Sequence, residues 1–553
     1  MKGIEIIALK NALAVQRTPL EGHWDDLSSH FMPFRLAGGN LPDIPSASEL
    51  ADSEGRRSAL ILANGLASLI FPRESVWFEY QPPGELADDF EAVAWYRNAS
   101  ATAREYLEHS NFYEEIQEAL IESPVYGTAA LYLGELGDSD DIHFRHCPVK
   151  SYYIGEDARG RVNRFVRCLH LTASQAAGEF GVDRIPGQVR DLLSKPDGDS
   201  TTEEYIHAVL PRTIAPDRDA PENQKKPWIS CVVHASSAHI CQELGFDEFP
   251  FAVHRYRRFG RTVWGFGPGT TALGDARQLQ YLNDLADAAA EKSVYPPVVA
   301  PSSMDGEIGL GSGEITYVDS QNDPNSASIL REWATVSRYD IAKDRLQDKK
   351  QAINSAFHVD LFQLFSSRAM ERQPMTATEA SLISGEKLTQ FSPVFGRLVS
   401  EFATPILTRL FAVLFRGGRF GQPPPGVLSP DGKGIASPSL LYKNRILLAM
   451  QERANNSLAA WVQLVSPFLQ ADPSFIDTID TGRLAIDSAR FAGLPEKWIR
   501  SPKQVAAIEQ ARAQAAQAAQ AAAVAEQATN AAANLSQAPP SLRAAAESSL
   551  LDQ

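Results

Sequence analysis

Four cysteines are spread through 553 residues, Cys147, Cys168, Cys231 and Cys241, and no two stand in a CxxC pair. That scarcity disfavours zinc and redox motifs and suits a reducing compartment. His143, His146 and Cys147 lie close together, but IHFRHC runs into Pro148 and reads as a strand end. A strong metal assignment takes a cluster of four ligands, so no metal is expected. Basic residues are also short: 52 Lys and Arg against 68 Asp and Glu leave a formal net charge of -16. Such a chain does not supply phosphate contacts in bulk, which excludes a nucleic-acid grip along a broad basic face.

Long apolar runs are missing as well. The longest, Ala59–Phe71, falls short of the roughly 20 residues of a membrane-spanning helix and carries Asn64. No membrane span is predicted. The N-terminal MKGIEIIALKNALAVQ is interrupted by Glu5 and Lys10 and has no small-residue cleavage site, so no secretory signal is expected. No Ser-His-Asp, HExxH or paired-carboxylate pattern stands out, and the glycine-rich GFGPGTTALGD has no Lys or Arg to reach a phosphate. Its first charge is Asp275, which suits a helix dipole and repels phosphate. An enzyme is therefore the less favoured reading, with no cofactor expected, and the glycines are read as a structural helix start.

What is present points to an α+β chain, mainly helical. Hydrophobic content of 44% and charged content of 22% are ordinary for a soluble globular protein, and the length suggests about three or four domains. Ser58–Phe71 reads as an amphipathic helix closed by Pro72, ESVWFEYQPP as a strand, and Glu91–Gly127 as mostly helical. From Leu131 to Leu171 the composition turns to strands, with EDARGR as a hairpin turn. Thr172 and Gln175 stand in capping-box spacing, and further strands are read in EEYIHAVL, WISCVVHA and FPFAVHRYRRFGRTVWG.

Two long helices follow. From Thr270 to Val294, Leu273, Ala276, Leu279, Leu282, Leu285, Ala286 and Ala289 recur at three and four, one helical stripe that YPPVVAP terminates. After the glycine-bearing SSMDGEIGLGSGEITYVDS, Ser326–Phe357 reads as the second helix, marked by Ile329, Leu330, Trp333, Val336 and Ile353. A third helical run opens at Thr376 and Glu379 in capping-box spacing and ends at Gly417 and Gly418, with a kink or break expected at Pro393 and Pro405. GQPPPGVLSPDGKGIASP is a linker by composition, Ser439–Leu469 reads as helical, and Lys503–Gln537 is an Ala/Gln helix with little to form a core. The strongest basic cluster, His254–Arg261, interleaves aromatics. It is read as a strand with a solvated face in preference to a nucleic-acid surface, by about two to one.

Taken in order, LANGLASLIFPRESVWFEY, YYIGEDARGRVNRFVRCLHLTASQAAGEFG, FPFAVHRYRRFGRTVWGFGPGTTALGDARQLQYLNDL, YPPVVAP and MTATEASLISGEKLTQFSPVFGRLVSEFATPILTRLF resemble the head-to-tail connector, or portal, proteins of short-tailed double-stranded DNA bacteriophages. The resemblance covers roughly Leu60 to Arg500; it departs at WGFGPG, where many relatives carry an Arg between the second glycine and the proline. It implies a dodecameric ring at one capsid vertex, with double-stranded DNA passing through a central channel. It implies a wing in 1–262, stem helices in 263–293 and 326–353, and between them a clip in 294–325 facing the terminase motor and later the tail adaptor. A tunnel loop in 354–375, a kinked wing helix in 376–418, a crown in 419–502 and a C-terminal barrel helix and tail in 503–553 complete the expected order. Arg368, Glu371 and Arg372 are then the expected channel-facing residues, and Leu279, Leu282 and Leu285 the expected stem packing. Major capsid and scaffolding proteins are expected partners, in the virion and, during assembly, in the host cytoplasm. Two long helices with narrow apolar stripes agree, being poor core for one chain and good staves for a ring. The competing readings are a genome-packaging motor or nuclease and a monomeric binding protein with a linker tail.

Overall fold

Successive strands between Tyr152 and Phe246, whose side chains point to opposite faces in turn, build an antiparallel meander with a packed cluster on each face. Strands β4 (Tyr152–Glu156), β5 (Val162–Leu171), β6 (Glu203–Pro211), β7 (Trp228–His234) and β8 (Ile240–Phe246) lie in that spatial order. Register sets Ile154 opposite Phe165, Cys168 opposite Ile206 and His207 opposite Val232. The expected EDARGR turn joins β4 to β5, closed by Asp157 N–H donating to Arg161 O at 2.8 Å, with Gly160 at φ 76°. On one face Val166, Ile206, Ala208 and Val233 pack on Ile6 and Leu13 of helix α1 (Gly3–Phe31). On the other, Tyr205, Val232 and Cys241 pack on a second cluster from Ala173 to Val189. The expected capping box stands: Thr172 Oγ1 accepts from Gln175 N at 3.3 Å and Gln175 Oε1 accepts from Thr172 N at 3.0 Å.

The computed structural model describes residues 2–33, 52–87, 89–137, 140–195, 197–213, 221, 225–294, 298–299, 331–332, 339–362, 393–428, 435, 437–443, 482 and 502–537. They divide into one unit of Met1–Gln81, Tyr96–Pro423 and Pro438–Arg453 and another of Pro82–Trp95, Pro424–Ser437 and Ala454–Gln553. In the first unit, helices α2 (Glu54–Ile70), α3 (Phe90–His109, from Tyr96 onward) and α4 (Phe112–Tyr126) precede strand β2 (Thr128–Leu136). β2 is the centre of a three-stranded antiparallel sheet between β3 (Ile142–Cys147) and β9 (Phe251–Arg255). Phe71, Trp77, Phe112 and Phe144 join helices to this sheet, with ring centroids 5.1 Å apart for Phe71–Trp77 and 5.0 Å for Phe112–Phe144. In the second unit the tail expected as an Ala/Gln helix is a helix over Pro502–Gln537, whose described side chains are nearly all exposed.

Three expectations need correction. Ser439–Tyr442, expected to open a helix, is a strand paired antiparallel with β1 (Phe78–Gln81), Phe78 opposite Tyr442; its partner stands far away in the chain, where local pattern cannot point. The second long helix begins at Tyr339, not Ser326, and Arg331–Glu332 is instead a short strand paired with Val298–Val299. The third run holds a helix over Pro393–Arg416, and this one is long and apolar enough to cross a membrane by length and composition, which the sequence reading missed. Its apolar side is core: Ile406, Leu407, Leu410, Phe411, Val413 and Leu414 are buried, and Arg409 donates to Leu133 O at 3.0 Å and Glu248 O at 2.8 Å. Here the expected disturbance at Pro405 takes the form of a widened π-turn, Val399–Ala403, because proline has no N–H to offer the turn before it. The stretch 376–392 lies outside the described residues.

β9 carries a titratable group with no partner. His254 is wholly buried, and neither ring nitrogen has a hydrogen-bond partner within the described residues. Burial first, then the charges of Arg397 and Arg255, hold it far below its ordinary 6.5, at about 3. Below pH 6.5 the unfolded chain therefore takes up a proton that the folded chain refuses, so stability is full above that pH and lost as pH falls toward 3. Replacing His254 with Leu should remove this part of the acid sensitivity. Urea unfolding at pH 7.5 and 4.5 is expected to show the native chain losing about 2–3 kcal/mol more than the variant.

Candidate functional site: the foot of the paired helices

Two long helices rise from one point in the first unit, α7 (Pro268–Val294) and α8 (Tyr339–Ala356), numbered after α5 (Ala173–Phe180) and α6 (Gly187–Leu193). The glycines of WGFGPG explain where α7 starts. Gly127 ends α4 at φ 82°, and a Cβ on it would run into the backbone of Phe266. A Cβ on Gly265 would meet Gly127 O, one on Gly267 would meet Pro124 O, and one on Gly269 would stand 2.8 Å from Val125 O. Backbone lies directly on backbone, and only glycine allows it. Gly265 N–H donates to Thr128 Oγ1 at 2.9 Å and Phe266 N–H to Arg257 O at 2.7 Å. Trp264, buried beside them, meets Trp24 edge-on at 5.0 Å and stacks on Tyr152 at 5.7 Å. The segment is a bearing for a helix, and the N–H groups of Trp264, Gly265 and Phe266 are turned to protein.

The basic cluster is divided by this arrangement. β9 is buried along its whole length, so it has no solvated face, and this corrects the preferred reading of His254–Arg261. Arg255, 2% exposed, donates to Glu401 Oε1 at 2.8 Å, Glu156 Oε2 at 3.0 Å and Gly160 O at 2.8 Å. Arg258 joins it on Glu156 Oε1 at 3.0 Å, while Arg257 and Arg261 are exposed. Glu401 stands on the π-turn, so one guanidinium ties the β4–β5 turn, β9 and the π-turn together. Charge-assisted bonds of this kind hold strongly when every partner is present.

Above the foot, the helices are held to α1 and α2 by polar contacts. Asp52, its side chain 11% exposed, receives Lys350 Nζ from α8 at 2.7 Å and Asn283 Nδ2 from α7 at 3.2 Å. Lys349 reaches Asp275 across the pair at 2.8 Å, and Asn354 bonds Glu54 at 2.8 Å and Ser58 at 2.7 Å. Ile353 and Phe357 are fully buried, Phe357 against Phe31 with centroids 5.3 Å apart.

The expected stripe of α7 divides in two. Leu273, Ala276, Leu279 and Ala286 are buried, Leu282 is half-buried, and Leu285 is 48% exposed. Steps of three fall short of a full turn, so a stripe written 276, 279, 282, 285 drifts round the helix until its last member faces away. Leu285 shares that far face with Tyr281, 64% exposed. Arg368, Glu371 and Arg372 lie outside the described residues, as does most of 294–325. The segment leading toward those residues is seen as the short helix Val359–Phe362, with Val359 buried. His143 is exposed, while His146 is buried and pairs with Glu122 at 3.1 Å; among the described residues no group of three His, Cys, Asp or Glu could hold a metal ion. The Arg255–Glu401 pair escaped the sequence reading because 146 residues separate the partners.

The sequence profile of the family described as bacteriophage head to tail connecting protein matches residues 5–499. A portal protein of Salmonella phage epsilon15 is 28% identical over 536 residues, covering 93% of this chain and 90% of that one. A probable portal protein of Bordetella phage BPP-1 is 26% identical over 515 residues, covering 91% of this chain and 89% of that one. Among solved structures, a chain of the virion of a native gene transfer agent particle matches at a TM-score of 0.33 and 11% identity, over 85% of this chain and 93% of that one.

Gly267→Ala tests the bearing. A methyl group against Pro124 O has nowhere to go, since both neighbours are backbone. Urea unfolding should show a loss of at least about 2 kcal/mol. Gly274→Ala, with open space around its Cβ position on the same helix, is expected to be neutral or slightly stabilising.

Proposed function

The chain belongs to the family of bacteriophage head to tail connecting proteins, and from that premise we propose that it assembles as a dodecameric ring through which double-stranded DNA enters and leaves the capsid. Its function is that of a phage portal protein, a structural part of the virion capsid. The finer reading places the ring at one capsid vertex, with the clip docking the terminase motor and later the tail adaptor, and with scaffolding and major capsid proteins around it. Assembly takes place in the host cytoplasm. Energy for packaging comes from a separate ATPase, and this chain performs no catalysis.

The observation that carries the ring reading is the second apolar face of α7. Leu279 and Ala286 point one way into the chain's own core, and Tyr281 and Leu285 point the other way into solvent. A stave needs both faces, one for its own chain and one for its neighbour. The acidic balance of the chain supports the channel, because each neutralised phosphate would act as a brake on sliding DNA. Against that background the tunnel loop carries Arg368 and Arg372, with Glu371 between them. Repeated round a ring, one arginine per chain makes a positive girdle that holds DNA at one height only. The Pro502–Gln537 helix, about 54 Å long, is read as a stave of a C-terminal barrel.

Two experiments test this reading. Leu285→Asp should leave the chain folded, since the side chain is exposed, yet remove ring formation by native mass spectrometry and negative-stain imaging; normal ring yield would withdraw the stave assignment. Replacing Arg368 and Arg372 together with Ala should leave rings intact and change retention and ejection of packaged DNA. Unchanged retention and ejection would instead make these arginines ordinary loop residues paired with Glu371 and Glu379.

A further inference from the structure

Away from the helix pair, the five-stranded sheet leaves part of one face uncovered beside α5, and a cleft of about 710 Å³ opens there toward β2 and β3. That volume is typical of ligand sites, which run roughly 300–1,000 Å³. Leu169, Val232 and Leu244 form apolar walls, and Arg145 and Arg167 face the same space. In this acidic chain both arginines lack a carboxylate within ion-pair distance among the described residues. Arg145 is exposed, but Arg167 is half-buried, its guanidinium 4.9 Å from the Tyr132 ring centroid and 5.7 Å from that of Phe251. The Cys147 thiol beside it is pushed up by burial and brings no negative charge. Glu135 lines the cleft but is held by Arg409 at 3.0 Å and Arg416 at 3.2 Å, and Glu179 stands exposed at its rim. A half-buried guanidinium that stacks on two rings and has no carboxylate partner among the described residues offers its charge to an anion entering the cleft.

The sheet adds a third donor. Arg167 Nε donates to His207 Nδ1 at 2.9 Å, and a guanidinium has no lone pair to accept in return. Burial and the Arg167 charge hold His207 well below its ordinary value, so the ring is neutral and its one proton sits on Nε2. Nε2 therefore donates to Ser230 Oγ at 2.9 Å, and the Ser230 hydroxyl keeps its own proton for another acceptor. The same direction of donation excludes nucleophilic catalysis at this Ser–His pair, because Nε2 has no lone pair with which to activate the hydroxyl.

We propose that this cleft docks an acidic, apolar-flanked peptide segment of a partner protein, seating a carboxylate on Arg167, Arg145 and Ser230 Oγ and the flanking side chains on Leu169, Val232 and Leu244. Charge complementarity sets the carboxylate, and the walls and volume exceed what a bare inorganic anion fills. The inference is independent of ring assembly.

The test is fluorescence anisotropy with the full-length chain and a fluorescein-labelled hexapeptide of alternating leucine and glutamate. Saturable binding is expected, weakened at least about tenfold when glutamine replaces glutamate, and by a similar factor in Arg145→Gln and Arg167→Gln. Arg145 is exposed, so Arg145→Gln reports on binding even if Arg167→Gln fails to fold. Absence of saturable binding, equal affinity for the glutamine peptide, or unchanged affinity in Arg145→Gln would overturn the proposal. Displacement by inorganic phosphate where chloride of equal ionic strength does not displace would overturn it too, marking a phosphate site.

Discussion

At the foot of α7 two stretches of backbone touch with no side chain between them. The end of α4 and the WGFGPG segment approach so closely that Gly127, Gly265 and Gly267 have no room for a Cβ. Everything above that contact inherits its position from it: the start of α7, the α8 helix packed beside it, and the polar contacts by which Asp52 holds both. A helix begun on such a bearing starts at a defined point, because backbone against backbone leaves no side chain to yield.

Buried arginines then fasten the layers. Arg17 on α1 donates to Lys150 O at 2.8 Å, Tyr152 O at 2.9 Å and the Tyr153 hydroxyl at 2.9 Å; Arg255 and Arg409 make comparable sets on β9 and on the Pro393–Arg416 helix. Each links a helix or a π-turn to a strand or turn distant in sequence, and each donates to carbonyls and carboxylates, Arg17 also to a tyrosine hydroxyl. In a chain short of basic residues, these arginines are interior fittings and are not presented to a polyanion. Arg167 differs, being half-buried and without a carboxylate partner among the described residues, and that difference singles out the sheet cleft.

Local rules were readable where a local cause acts. The Thr172–Gln175 capping box, the EDARGR turn, the helix from Pro268 to Val294 and the proline disturbance at Pro405 all depend on residues within a few positions of one another. Pairing over distance was not readable. Ser439–Tyr442 looks helical until β1 lies beside it, and Arg331–Glu332 continues a helical pattern until Val298–Val299 pairs with it. The cluster HRYRRFGR has the composition of a surface, yet β9 is central to the packing and Arg255 finds Glu401 from a remote part of the chain.

Order of motifs was enough to reveal the family, because many weak segments in sequence are jointly specific where each alone is not. Composition was enough to predict an α+β chain with long, narrow-striped helices. Which leucines of α7 face the chain and which face outward was a matter for tertiary structure. Leu279 and Leu285 are six residues apart on one helix, and only the position of the neighbouring elements decides which of them is covered. The absence of Lys and Arg from GFGPGTTALGD already favoured a structural helix start over a phosphate loop, but it did not show what the glycines of WGFGPG rest on. Their use as a bearing follows from the carbonyls of Pro124 and Gly127 standing where a ligand or a side chain would otherwise be.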